Sequence, residues 1–251
     1  MRMTGHMTRS AGALALGAAL LGGAWVGSLG ALPDVGRLEV SHTVLGRDGR
    51  LLRAYATNDG RWRLDARADE VDPRYLQLLT TYEDRRFARH FGVDLFALGR
   101  AAVQFASSGH IVSGGSTLTM QVARLLEPRK ERSIATKLRQ IVRAIQLEAT
   151  LGKNDILALY LTLAPYGGNL EGIRAASLAY FGKEPRRLSL GEAALLVALP
   201  QSPEVRRPDR SAIAARNARD RVLDRIAASG RIPADEVALA KQEPVPSMVS
   251  R

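Results

Sequence analysis

The stretch "TTYEDRRFARHFGVD", Thr80 to Asp94, puts a carboxylate where one is costly. The residues from Pro73 to His90 follow a helical pattern, and at 100° per residue Leu76, Leu79, Glu83, Phe87 and His90 share one stripe. Asp84, Arg85, Arg86 and Arg89 lie off it. A carboxyl group among leucine and phenylalanine is expensive to ionise, so its pKa is expected to rise toward neutrality. A group tuned in that way suits general acid–base chemistry. Two readings stand on these residues alone: a helix-end glutamate paired with a neighbouring arginine, or a base held ready for proton transfer.

The elements that must position Glu83 are mostly helices. "SHTVLGRDGRLLRAYATNDGRWRLDA", Ser41 to Ala66, alternates apolar and polar residues around two turn signals and predicts a small β-hairpin. From about Val71 the pattern is helical. "VDLFALGRAAVQFASS" predicts a second helix, and the Gly/Ser loop "GHIVSGGS" leads into "TLTMQVARLLEP". "IATKLRQIVRAIQLEATL" sets Leu138, Ile141, Val142 and Ile145 on one face. Asn154 is placed to cap "DILALYLTLAP", and Ser189 with Glu192 forms a capping box before "AALLVAL". The C-terminal part predicts a helix over "SAIAARNARDRVLDRIAAS", closed by Gly230, and a short one after Pro233.

The 251 residues carry a formal net charge of +11, and a surface so basic is expected to meet an anion. There is no cysteine, which removes disulfides and thiolate chemistry, and four scattered histidines make a zinc site unexpected. Ala11 to Leu32 has no charged residue. As a helix it would be about 33 Å long, enough to cross a bilayer. Arg2 and Arg9 precede it and Asp34 follows, which predicts a cytoplasmic N-terminus and an extracytoplasmic body. An uncleaved anchor is the favoured expectation, and a cleaved signal peptide ending near "SLGALP" is the competing one. A basic domain outside the membrane is expected to meet lipid headgroups and lipid-linked phosphates, not nucleic acid.

Four segments in order, "EDRRFARHFGVD", "GGSTLTMQ", "ILALYLTLAPYGG" and "AASLAYFGK", resemble glycosyltransferase family 51, the peptidoglycan glycosyltransferases. The resemblance runs from about Ser41 to Asp209. "GGSTLTMQ", "LAPYGG" and "ALPQSPEVRRPDR" look most like the type 1C branch of the bifunctional penicillin-binding proteins. It implies a mainly α, lysozyme-like glycosyltransferase domain with a small membrane-proximal lobe and a short N-terminal β-hairpin, preceded by one transmembrane helix. The implied divisions are a cytoplasmic tail over 1–10, the anchor over 11–32, linker and hairpin over 33–70, the glycosyltransferase domain over 71–210 and a helical extension over 211–251.

The implied reaction joins lipid II units into glycan strands with release of undecaprenyl pyrophosphate. By the family motif Glu83 is the general base, with Asp84 as a support and Phe87 and His90 shaping the site. The departing diphosphate needs fixed cations and backbone amides. Gly114, Gly115, Ser116 and Thr117 form a turn opening onto a helix N-terminus, readable as an anion seat or as an ordinary N-cap by Ser116. Gln121, Arg124, Arg132 and Lys137 fall at the family's substrate and phosphate positions. The family's second acid is replaced by Gln140, in "TKLRQ", which supplies neither a proton nor a strong metal ligand. Glu148 stands two turns further on, about 12 Å along the helix and out of reach.

The resemblance thus leaves a divalent cation (Mg²⁺ or Mn²⁺) as the cofactor in question, with no residue assigned as a certain ligand, and no organic cofactor. The expected partners are lipid II, the growing lipid-linked strand, the membrane, and cell-wall synthesis proteins including a transpeptidase. Neither Ser-x-x-Lys nor Lys-Thr-Gly occurs in these residues, so cross-linking is not expected of them. Two other functions remain open: a lipid II-binding scaffold without turnover, suggested by Gln140, and a muramidase-like hydrolase, suggested by fold alone.

Overall fold

A computed structural model of the chain describes residues 22–108, 115–129, 131 and 133–247. Most of the expected anchor, as well as Gly114 and Arg132, lies outside them. No helix among the described residues is long and apolar enough to cross a membrane. Residues 22–28 are helical and largely exposed.

The expected hairpin forms from β1 (Thr43–Leu45) and β2 (Leu51–Ala54), antiparallel around the "RDGR" turn. The second turn signal leads elsewhere. β3 (Trp62–Arg63) joins a separate sheet, parallel to β5 (Leu170–Glu171), which pairs on its other edge with β4 (Pro165–Gly167). This small sheet ties the N-terminal region to the middle of the chain.

The helices then follow as α1 (Pro73–Glu83), α2 (Leu95–Ser108), α3 (Leu118–Leu126), α4 (Ile134–Thr150), α5 (Lys153–Leu163), α6 (Ile173–Phe181), α7 (Leu190–Ala198), α8 (Pro203–Arg206), α9 (Ala212–Ala227) and α10 (Ala234–Gln242). α7 is the centre: every residue in it except Glu192 is buried. Ser189 and Glu192 close its N-terminus as a capping box. α1 and α9 pack on α7, and Ala215, Ala218, Val222, Leu223 and Ile226 of α9 belong to the main core.

Two local expectations are corrected. Pro73 to His90 is not one helix: α1 stops at Glu83, Asp84 is its C-cap, and residues 85–89 form turns. The stripe joining Glu83 to Phe87 and His90 is therefore not a helical face. Asn154 does not cap α5; Gly152 takes that position, and Asp155 accepts from its backbone amide at 3.2 Å. On the apolar face of α4, Leu138 and Ile145 are 49% and 42% exposed, and the helix buries Arg143, Ala144 and Leu147.

Because α9 shares the core, Leu223→Ala is expected to destabilise the whole domain by about 2–5 kcal/mol, the usual cost of a buried leucine truncation. A single cooperative urea transition shifted to lower midpoint checks it; an unchanged midpoint would place α9 outside the folding unit.

Candidate active site

Glu83 is the last residue of α1 and lies in a cleft of about 320 Å³. Its two oxygens are held from opposite sides. The Gln121 Nε2 donates to Oε2 at 3.0 Å from α3, and the Gln201 Nε2 donates to Oε1 at 2.7 Å from the turn after α7. No arginine or lysine pairs with Glu83 among the described residues, so the helix-end ion pair is not what holds it. Beneath it lie Tyr75 and Tyr160, whose hydroxyls burial pushes well above the ordinary tyrosine range, the Glu83 carboxylate adding to the effect.

The loop after α1 is pinned by Asp84. Its buried carboxylate accepts from His90 Nε2 at 2.9 and 3.0 Å and from the Leu118 backbone amide at 2.9 Å. One side chain therefore fastens the end of α1, the loop and the start of α3. Gly92 allows the loop to lie against α4, because it has φ +77° and a Cβ there would fall 2.6 Å from the Ala144 carbonyl oxygen. The Thr117 hydroxyl donates to the Gly92 carbonyl at 2.6 Å and accepts from the Met120 amide at 3.1 Å. Phe87 is buried under the Lys153 ammonium, which lies 4.6 Å from its ring centroid and donates to the His90 carbonyl at 2.7 Å.

These contacts change the expected division of roles. The N-cap of α3 is Thr117, not Ser116. The helix N-terminus is not an open anion seat, because Asp84 and Thr117 already take the Leu118 and Met120 amides. Asp84, Phe87, His90 and Thr117 spend their side chains inside the protein and build the site from behind. Gly115 crosses Leu98, whose Cδ2 would be 3.0 Å from an added Cβ, and Ser116 turns toward α4.

There the Ser116 hydroxyl accepts from Lys137 Nζ at 2.5 Å, and Lys137 also approaches Gln140 Oε1 at 3.5 Å. Lys137 and Gln140 line a second cavity of about 480 Å³ with Arg124, Arg129, Glu127 and Arg139. Burial pulls the Lys137 pKa below its ordinary value, and the charge of Arg124 adds to that. An anion entering the cavity would offset both costs. Arg124, Arg129 and Lys137 have no carboxylate partner among the described residues.

Two carboxylates, Glu127 and Glu131, line this cavity against five cationic side chains, which makes a poor donor set for a divalent cation. Glu127 accepts from Arg139 Nε and pairs with Arg143, both at 2.7 Å, and Gln140 Oε1 faces an ammonium. Among the described residues no three acidic or histidine side chains gather as a metal site. Glu148 accepts from Thr119 and pairs with Lys153, so it cannot stand in for Gln140.

Gln201 was missed at the sequence level as a site residue. Its signal was the segment "ALPQSPEVRRPDR", which carries Gln201 and Arg206 and which the resemblance singled out without giving either a role. Arg143 was missed too. Buried on α4, it donates to the carbonyls of Leu29, Gly30 and Ala31 at 2.7, 3.0 and 3.2 Å.

With this geometry in view, a family profile described as Transglycosylase matches residues 48–227. Penicillin-binding protein 1C of Escherichia coli is 49% identical over 205 residues, covering 82% of this chain and 26% of its own length. Penicillin-binding protein 1A of Pseudomonas aeruginosa is 35% identical over 218 residues, with 87% and 26% covered. A solved structure of penicillin-binding protein 1A from Haemophilus influenzae superposes with a TM-score of 0.47 at 19% identity, over 86% of this chain and 22% of the other. The chain belongs to the transglycosylase family, an enzyme class of glycosyl transfer. Within it, the chain is similar to penicillin-binding proteins 1C and 1A and spans about a quarter of the length of the curated relatives it matches.

Asp84→Ala is expected to lower stability by about 3–5 kcal/mol, since it strands buried donors on the loop and on α3. A double-mutant cycle with His90→Ala, measured by urea unfolding, checks the origin. If Asp84 acts as described, His90→Ala costs far less in the Asp84→Ala background than in the wild type.

Proposed function

We propose that this domain polymerises lipid II into β-1,4-linked glycan strands, with inversion at the anomeric carbon and release of undecaprenyl pyrophosphate. The observation that carries the reading is a carboxylate held only by neutral amides beside a cavity rich in unpaired cations. Glu83 takes the proton of the acceptor's 4-hydroxyl as that oxygen bonds to the anomeric carbon of the growing strand. The carbon–oxygen bond to the diphosphate breaks, and its electron pair leaves on the phosphate oxygen. Lys137, Arg124 and Arg132 hold that charge, with Ser116 aiming the Lys137 ammonium. Gln140 contributes hydrogen bonds and no proton. No step is routed through a metal ion, for the reason the donor set supplies.

The body around α1, α7 and α9 serves as the lysozyme-like part, and α2 with the outer face of α4 as the membrane-proximal lobe. Leu95, Phe96 and Val103 on α2 are 75%, 78% and 69% exposed, which suits contact with lipid. The charge-free run 11–32 anchors the chain, with its N-terminus cytoplasmic and the body extracytoplasmic at the inner membrane. Arg143 supports retention of the anchor: a cut near "SLGALP" would take from a buried guanidinium the carbonyls it donates to. Cell-wall synthesis proteins, a transpeptidase among them, are the partners this activity calls for.

The purified protein in detergent is expected to make glycan strands from lipid II, and Glu83→Gln to reduce the rate about 100-fold or more. Lys137→Ala is expected to weaken donor binding about tenfold, with an effect that shrinks as salt rises. An EDTA arm reads whether a divalent cation contributes. Binding of lipid II without strand formation, with or without added divalent ions, would overturn the polymerase reading in favour of the scaffold that Gln140 suggested.

A further inference from the structure

We infer that Gln201 is a positioning residue for the base, and that Arg206 fixes the direction in which its amide works. The inference rests on the proposed role of Glu83 and adds a residue to it.

Gln201 closes the 3-10 turn Leu199–Gln201, whose Leu199 and Pro200 are buried at the end of α7. The turn is therefore set by the core, although the Gln201 side chain reaches out over the cleft. Arg206, at the end of α8, donates from Nη1 to the Ala198 carbonyl at 2.6 Å and to Gln201 Oε1 at 3.0 Å. A guanidinium has only donors, so the amide oxygen must face it. The NH₂ end is then the one presented to Glu83 Oε1, at 2.7 Å.

This arrangement resolves a conflict built into a basic site. An arginine paired directly with a carboxylate lowers its pKa by about 1–3 units, which weakens it as a base. Four arginines line the Glu83 cleft: Arg85 and Arg86 after α1, Arg100 on α2 and Arg225 on α9. Arg86 is occupied by Asp94, and Arg225 lies over the Tyr82 ring at 5.0 Å. Asp84 is taken by His90 and the Leu118 amide. Arg206 is the cation behind Gln201, and a neutral amide stands between it and the base. Gln121 supplies a second neutral donor from α3. The carboxylate plane is thus fixed by two neutral donors, leaving its remaining lone pairs aimed into the cleft.

Tyr75, Tyr82 and Tyr160, Asp84 and Asp94, and the four cleft arginines are unchanged in variants at position 201. Removing Gln201 also uncovers Arg206, so each variant is combined with Arg206→Met, and a shift measured against Arg206→Met alone isolates the amide. A hydrogen bond to an ionised carboxylate favours ionisation, so its loss is expected to move the acid limb of kcat to higher pH. Gln201→Ala is expected to lower kcat roughly tenfold at neutral pH, with KM little changed. Gln201→Glu keeps the shape, sets a second carboxylate against Glu83, and is expected to move the acid limb up by about a unit.

The test measures the pH dependence of strand synthesis by both variants, beside thermal melting to confirm folding. It also follows the Glu83 carboxyl titration by ¹³C NMR, assigned by its loss in Glu83→Gln. Upward shifts in both variants support the inference. Folded variants with the Glu83 titration of Arg206→Met alone overturn it, as does a fall in kcat with the acid limb in place. The titration reads the amide's effect even if the wild type makes no strands, so failure of the polymerase reading is told apart from failure of this one.

Discussion

The buried carboxylate of Asp84 is the contact on which the site is built. α1 ends one residue before it, the loop to Gly92 folds over it through His90, and α3 starts on it through the Leu118 amide. A buried carboxylate is costly unless its oxygens are filled, and here an imidazole and a helix N-terminus fill them. The consequence is geometric. Glu83 on α1 and Gln121 on α3 are brought to 3.0 Å because the two helices share this one acceptor. The neighbouring acids thus do different work: the exposed edge of the cleft receives Glu83, and the inside of the protein consumes Asp84.

Cations surround the base without pairing with it. Four arginines line the glutamate cleft, yet neutral amides hold its carboxylate, while Arg124, Arg129 and Lys137 line the adjoining cavity. Ser116 connects the two, since it lines the cleft and receives the Lys137 ammonium. A base and an anion seat make opposite demands on nearby cations, and holding the base through neutral donors lets both exist side by side.

Behind the cavity, Glu127 and Arg143 carry the arrangement toward the N-terminal segment. Arg143 is 2% exposed, pairs with Glu127, and donates to three successive residues' carbonyls where the charge-free run ends. The wall of the anion cavity and the exit of the N-terminal run therefore share one buried guanidinium. Its removal would leave several polar groups without partners at once.

Much of this was legible in residue order. Helical periodicity, the Ser189 capping box and the "RDGR" turn are local signals, and the structure keeps them. Glu83 stood out for its setting, and the ordered motifs named the residues around it. What the sequence determined was which side chains exist near one another along the chain and which chemistry they permit. Tertiary structure decided which of them are spent on holding the fold. The 3.6-residue period carried α1 through to His90, yet the helix stops at Glu83, where Asp84 turns to a partner 34 residues away. Gln201 shows the same limit from the other side, because it reaches Glu83 across 118 residues and no local pattern encodes that meeting. Periodicity is a property of neighbours in sequence, whereas the satisfaction of a buried charge depends on whatever the fold places beside it.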